Sequence, residues 1–327
     1  MTDANGPLSR QNLSSPGTGA THGMSGDAVH TVTLPPANDC RGCGAPTHDV
    51  TRVSTMAVVF DLNGHVALVT GGNHGIGAAT ALTLASCGAA VVVSYLSMPD
   101  RGDGSAPDAY RRNRAMNAEH VVSAIAGRGG RAIAVEADLR DVASPARLFD
   151  AAEGAFGPID ILINNASGWR ADSFAPTGHL RFDHRQVRIS PDTIDEQFAV
   201  DARGAALLIA ELAKRHVARG ARWGRIVGLT SGGPMGFPNE VSYGAAKAAM
   251  ENYTMSAAFE LAPFGITANV VHPPVTDTGW VTDEVRRHVE GHPELIHIAG
   301  PEDVARVITY LVSDDARLIT ANRIHLR

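Results

Sequence analysis

The amino-acid sequence predicts an α/β fold built on one doubly wound parallel sheet of about seven strands, with helices on both faces. Three observations predict it. From Val66 onward, short β-branched runs alternate with Ala-rich stretches long enough to be helices, which is the pattern of repeated strand–helix–strand units. Those runs are apolar throughout rather than alternating apolar and polar, as expected of parallel strands covered on both faces. Finally, a glycine-rich turn stands directly between the first run and the first helical stretch.

In chain order, residues 1–55 are rich in Gly, Ser, Pro, Asn and Thr and lack apolar periodicity. Such a segment cannot bury enough surface to offset its ordering entropy, so a disordered N-terminal tail is expected there and a single folded domain over 56–327. Met56 stands just before the first apolar stretch, and a translation start at that point would make the tail an extension of the gene model. The expected strands are HVALVT, AAVVVSY, RAIAVEA, IDILINN, GRIVGLT and ITANVV, with a last short one from Arg323 to Leu326. Helices are expected over 191–219 and 240–262 and from Pro301, where Glu302 and Asp303 suit a positive helix N-terminus. Two long connections, 97–112 and 168–190, read as loops.

Composition narrows the function. The chain has 327 residues and a formal charge of −6, which argues against the basic footprint of a nucleic-acid binder. No apolar run reaches the ~20 residues needed to cross a bilayer, and MTDANGPLSR lacks the charged-then-apolar opening of a secretory signal. A cytoplasmic location with no membrane or nucleic-acid partner is expected. The 3 cysteines make no disulfide framework. Cys40 and Cys43, with His48 as a third donor, form at most half a zinc site, because no second pair closes a tetrahedron, so no metal is expected.

The turn TGGNHGIG, Thr70 to Gly77, places glycines at 71, 75 and 77. Between a strand and a helix such a turn lets backbone approach a pyrophosphate, while the helix N-terminus offers free N–H groups and partial positive charge. The expected fold is therefore of the Rossmann type. This turn resembles the TGxxxGIG motif of the short-chain dehydrogenase/reductase family, and the resemblance extends over nearly all of Gly64 to Leu326. It implies cofactor contacts from Gly71, Asn73, His74, Gly75, Ile76 and Gly77. It implies the same for Asp138 and Leu139, which match the family's adenine-contacting pair, and for Asn165 and Ala166 in a motif where Ser167 replaces a glycine. Thr276, in a segment where Pro274 replaces a glycine, is implied to contact the nicotinamide carboxamide. Ser94 stands where a carboxylate would select NAD by binding its ribose 2′-OH. With no acid there, and with His74, Arg101, Arg111, Arg112 and Arg114 nearby, NADP(H) is expected over NAD(H); Asp100 is the counterweight.

Tyr243 and Lys247 are four residues apart and so share one helix face. They match the family's YxxxK signature. A tyrosine is a poor base at neutral pH, and an adjacent ammonium is expected to lower its pKa by favouring the phenolate. A hydroxyl after GRIVGLT should stabilise charge on the substrate oxygen. Ser231 stands twelve residues before Tyr243 and Thr230 thirteen. The family's commoner spacing selects Thr230, the local sequence LTSG selects Ser231, and Ser231 is preferred with Thr230 as runner-up. Asp201 occupies a position that is usually Asn in the family, where that residue supports a water chain from the lysine; an ionised aspartate would retune this proton relay.

These residues imply an oxidoreductase that moves hydride between nicotinamide and a carbonyl or secondary alcohol. The nearest resemblance is to bacterial 3-oxoacyl-acyl-carrier-protein reductase-like enzymes. Family resemblance also implies a homodimer or homotetramer, formed through the helices at 191–219 and 240–262. The loop 168–190, with Trp169, Arg170, Arg181, His184 and Arg185, borders the expected mouth of the site and could take an anionic acyl carrier, or be plain solvated surface. The alternative of another class is a dinucleotide-binding regulator without turnover, since fold alone does not settle function.

Overall fold

The computed structural model describes residues 60–100, 102, 106–175, 187–232, 236–292 and 297–327. The expectations for the N-terminal tail, Met56, Cys40, Cys43 and His48, and for Arg101, Arg181, His184 and Arg185, lie outside these residues.

The chain alternates as the sequence predicts. Strand β1 (Val66–Thr70) leads through the glycine turn into α1 (Gly75–Ser86), β2 (Ala90–Tyr95), α2 (Asp108–Ala115), α3 (Glu119–Ala126) and β3 (Arg131–Glu136). Then follow α4 (Ser144–Ala155), β4 (Ile161–Asn164), the two-residue strands β5 (Asp172–Ser173) and β6 (Val187–Arg188), and α5 (Pro191–Gln197). A π-helical stretch, Phe198–Gly204, joins α5 to α6 (Ala205–Ala218). The remainder is β7 (Gly224–Leu229), α7 (Val241–Glu260), β8 (Ile266–His272), α8 (Asp283–Glu290), α9 (Pro301–Val312) and β9 (Arg323–His325).

Seven strands form one sheet in the order β3-β2-β1-β4-β7-β8-β9, and every pairing is parallel. The order reverses at β1, so a crevice opens beyond the carboxyl ends of β1 and β4, where ligands of such sheets bind. The alternation along β1 shows how both faces are covered. Ala67 and Val69 pack with Leu84, Ile125 and Ile308 from α1, α3 and α9. Val66 and Leu68 pack with Phe149, Leu208 and Ala257 from α4, α6 and α7.

Two features depart from the sequence reading. The 97–112 connection, read as loop, contains the start of α2, a polar helix with no buried residue. The 168–190 connection contains β5 and β6, which pair with each other. As expected, α9 starts at Pro301 with acidic Glu302 and Asp303 in its first turn, and the Gly300 N–H donates to the Asp303 carboxylate at 3.0 Å.

Candidate active site

The floor of the crevice is a hydrogen-bonded junction between the ends of β1 and β4. The Thr70 hydroxyl donates to the Ile163 carbonyl at 3.1 Å and accepts from the N–H groups of Asn165 and Ala166, both at 3.0 Å. The Asn165 amide donates back to the carbonyls of Thr70 and Gly71 at 2.9 and 3.1 Å. The glycines are demanded by space and backbone. Gly71 and Gly75 have φ of +63° and +55°, in the left-handed region that disfavours side chains. A methyl group on Gly77 would meet the Gly71 carbonyl oxygen at 2.2 Å.

This turn fits a dinucleotide. No side chain caps the N-terminus of α1, and its first turn holds no acidic residue, so its N–H groups and positive end remain for an anion. His74 Nδ1 is buried without a hydrogen-bond partner. Ser94 lies buried beside the turn, its carbonyl accepting from Gly72 N–H at 2.9 Å. Ile76 packs at the edge of the apolar layer under α1. Asp138 is held by Arg140, whose guanidinium donates to both carboxylate oxygens, while Leu139 is buried. Thr276 turns its hydroxyl to the Pro274 carbonyl at 2.8 Å. Asn73 reaches away from the turn, its amide donating to the Met116 carbonyl at 2.8 Å.

One expectation changes here. The sequence reading counts His74 with the arginines that favour a cofactor phosphate, but burial of the ring, followed by the nearby Arg114 and His120, lowers its pKa to about 4. The imidazole is neutral at physiological pH.

Tyr243 and Lys247 lie on one face of α7, with the ammonium 5.7 Å from the centre of the phenol ring. The Ser231 side chain lies close enough to the Tyr243 hydroxyl to favour its ionised form. Thr230 is turned away: it is buried and its hydroxyl faces Glu251 at 3.4 Å. Successive side chains at a strand end point to opposite sides, so of the two candidates it is Ser231 that joins the tyrosine.

Asp201 forms a buried ion pair with Lys247, Oδ1 to Nζ at 3.0 Å, and its other oxygen accepts from Gly168 N–H at 2.8 Å. The π-helical stretch carries it there. Such widened turns recur at functional sites, and this one lets a buried carboxylate reach α7 from the neighbouring helix.

Burial, ahead of the ion pair, works against the expected acidity of the tyrosine. Rather than being lowered by the lysine, the Tyr243 pKa is held well above its ordinary value, first by burial and then by the Asp201 and Glu240 carboxylates, with the Ser231 hydrogen bond opposing them. The Asp201 carboxylate, 3.0 Å from the ammonium, opposes the lysine field that would have favoured the phenolate.

Sequence reading missed Glu240. It caps the start of α7 three residues before Tyr243 and accepts from the Trp169 indole N–H at 2.6 Å. Asp172 on β5 accepts from the backbone N–H of Ser242 at 2.9 Å. Together these bonds dock the segment after β4 onto the start of α7. Trp169 packs edge-on against Tyr110 and Trp280, with centroid separations of 6.1 and 5.6 Å, and Phe237 lies 5.8 Å from Tyr243. An aromatic wall thus stands beside the phenol.

The profile described as Enoyl-(Acyl carrier protein) reductase matches residues 71–326. This chain belongs to the short-chain dehydrogenase/reductase family. Within the family it is 37% identical over 272 residues to a short-chain type dehydrogenase/reductase of Picea abies, covering 80% of this chain and 90% of that protein. It is 32% identical over 275 residues to a probable tetrahydroxynaphthalene reductase of Zymoseptoria tritici, covering 79% and 91%. Among solved structures it resembles the angucycline C-6 ketoreductase LanV with bound NADP, with a TM-score of 0.66, 28% identity and coverage of 81% and 95%. The chain is an oxidoreductase of this family. No described helix is long and apolar enough to cross a membrane.

Proposed function

We propose that this short-chain dehydrogenase/reductase is an NADP(H)-dependent ketoreductase acting through Ser231, Tyr243, Lys247 and Asp201. The observation that carries the reading is the buried Lys247–Asp201 ion pair, with the ammonium 5.7 Å from the Tyr243 ring centre on α7 and Ser231 beside the phenol. When bound, the nicotinamide supplies the hydride that reaches the carbonyl carbon. Tyr243 donates the proton to the carbonyl oxygen, and Ser231 hydrogen-bonds the same oxygen as negative charge develops on it. A tyrosine whose pKa lies well above the ordinary value is fully protonated at neutral pH, which suits an acid in reduction better than a base in oxidation. Lys247, held by Asp201, fixes the electrostatic setting of the phenol. Gly71, Gly75, Ile76 and Gly77 would hold the pyrophosphate, and Ser94 leaves the ribose 2′ position free of a carboxylate. Asp138, Leu139, Asn165, Ala166 and Thr276 would line the remainder.

For the substrate, the resemblance in the sequence points to a ketoreductase of the 3-oxoacyl reductase type. The wall of Trp169, Tyr110 and Trp280 favours a second reading, a flat aromatic ketone, and the resemblance to a tetrahydroxynaphthalene reductase supports it. The test is NADPH oxidation with acetoacetyl thioesters and with bicyclic aromatic ketones, using Tyr243→Phe as control. Turnover lost in the variant while NADPH still binds supports the mechanism. Turnover that survives Tyr243→Phe removes the tyrosine from it.

A homo-oligomer formed through α5, α6 and α7 in the cytoplasm completes the proposal. Light scattering on the purified chain tests the assembly, and mass spectrometry of the native N-terminus tests whether residues 1–55 are translated.

A further inference from the structure

The loop after β7 carries Ser231, and two consecutive residues at the end of β8 hold that loop on either side of the serine. Before it, the Thr230 N–H donates to the Val271 carbonyl at 2.9 Å, continuing the β7–β8 ladder. After it, the Gly232 carbonyl lies 2.6 Å from His272 Nε2. A carbonyl oxygen only accepts, so the ring donates and carries a proton on Nε2. The first bond joins backbone to backbone, and any residue at position 271 supplies it. The second depends on the side chain at position 272.

The path of the chain gives that second bond its importance. Gly232 has a φ of +84°, so the backbone turns in the left-handed region directly after the serine. A methyl group on Gly232 would stand 3.0 Å from the Phe237 ring, and one on Gly244 would stand 2.6 Å from Phe237 Cβ. Phe237 therefore packs between the serine loop and the turn of α7 that bears Tyr243, its ring 5.8 Å from the tyrosine ring. With Phe237 against the loop and His272 tying down its carbonyl, the place of Ser231 beside the phenol is set.

The imidazole is itself held. His272 is the last residue of β8 and is half-buried. It stands in register with His325 of the edge strand β9, and the two rings stack with centres 4.8 Å apart. The Leu326 N–H donates to the His272 carbonyl at 3.0 Å.

We infer that His272 is a positioning residue for the reaction, holding Ser231 in donor geometry toward the substrate oxygen through the Gly232 carbonyl. This rests on the proposed function above and deepens it. His272 touches no reacting atom, and its effect passes through the serine. Displacing a group by about 1 Å in an active site lowers the rate by about 100-fold, so a loop released at Gly232 carries a measurable loss.

The test is a double-mutant cycle in the NADPH-dependent reduction of acetoacetyl-CoA and of α-tetralone. The proteins are the wild type, His272→Phe, His272→Gln, Ser231→Ala and the combination of His272→Phe with Ser231→Ala. Phenylalanine keeps a ring stacked on His325 but cannot donate, whereas glutamine restores a donor. His272→Phe should lower kcat about 10- to 100-fold, with the NADPH Kd unchanged within about twofold, and His272→Gln should recover most of the loss. In the Ser231→Ala background the same substitution should change kcat by less than about threefold, because the group it positions is gone. Equal losses in the two backgrounds overturn the inference, since a general disturbance of the fold acts with or without the serine. A kcat unchanged in His272→Phe overturns it as well, and so does a His272→Gln variant as impaired as His272→Phe. Should His272→Phe fail to fold, as read by Tm, His272→Leu takes its place in the cycle. A Ser231→Ala variant with wild-type kcat, or a wild type that reduces neither ketone, overturns the proposed function itself, and the inference with it.

Discussion

Replacing Asp201 by asparagine removes one charge from a buried pair and should change the pH at which the enzyme works. In the wild type the Lys247 ammonium has a carboxylate 3.0 Å away, so its field at the phenol is largely cancelled. The amide of the Asp201→Asn variant would leave the ammonium uncompensated at 5.7 Å from the Tyr243 ring centre. With an effective dielectric constant of about 20, a unit charge at that distance stabilises a phenolate by about 3 kcal/mol, or ~2 pH units. Because the carboxylate offsets most but not all of that field, a fall of about 1 to 2 units in the Tyr243 pKa is expected. Reduction needs the protonated phenol, so its rate is present below that pKa and lost above it. The alkaline limb of kcat/KM for ketone reduction should move down by that amount, and alcohol oxidation at a fixed alkaline pH should speed up. The variant should also lose stability, since a buried lysine without its partner costs about 3 kcal/mol or more. The single carbonyl oxygen of the asparagine cannot serve both Gly168 N–H and Lys247. The assay is the pH–rate profile in both directions, with Tm measured to establish the folded fraction. An alkaline limb displaced by less than about half a unit in folded Asp201→Asn would refute the electrostatic reasoning.

Three other outcomes are expected. Ser231→Ala should lower kcat about 100-fold or more, as loss of a donor to the developing oxyanion does, whereas Thr230→Ala should change it by less than about tenfold; steady-state kinetics on both variants decide. Gly77→Ala brings a methyl group to 2.2 Å from the Gly71 oxygen, so the turn must shift, with a stability loss of about 1–3 kcal/mol and weakened NADPH binding, read by denaturation and titration. The neutral His74 contributes stability that is present above pH 6.5 and lost as pH falls through about 4. That shift is on the order of 3 kcal/mol, so His74→Gln should lose less Tm than wild type on acidification across this window.

Much of the sheet was legible because buried parallel strands have a simple signature. Runs such as AAVVVSY and GRIVGLT are apolar on both faces, and both become central strands. Helix α2 left no such trace: DAYRRNRA buries none of its residues, so no periodicity marks it, and Pro and Gly upstream suggested a loop. Strands of two residues, as in β5 and β6, are too short to carry any pattern. In the site, Tyr243 and Lys247 could be paired from their spacing because a helix face repeats every three to four residues. The choice between Ser231 and Thr230 depended on which way each side chain leaves the end of β7, which sequence spacing cannot express. The raised pKa of Tyr243 depended first on its burial and then on Asp201 and Glu240 converging from different elements. Asp201 could be singled out by its position in the FAVDARG motif, whereas Glu240 does not stand out until the fold brings it beside the phenol.

The π-helical stretch at Phe198–Gly204 acts as a phase adjuster. Each residue added to or removed from a helix rotates everything downstream by about 100°. The apolar stripe of α6, with Leu208, Ile209 and Leu212 against the sheet, is in phase with Asp201 because the wider turn accommodates one residue more than an α-helix would. Deleting a single residue within 198–204 would therefore force a choice: keep the stripe inward and aim position 201 elsewhere, or keep the carboxylate on Lys247 and turn Leu208 and Leu212 toward water. Transplanting the ion pair into a relative with a regular helix would meet the same geometry in reverse, so the seven-residue segment, not the aspartate alone, is the transferable unit.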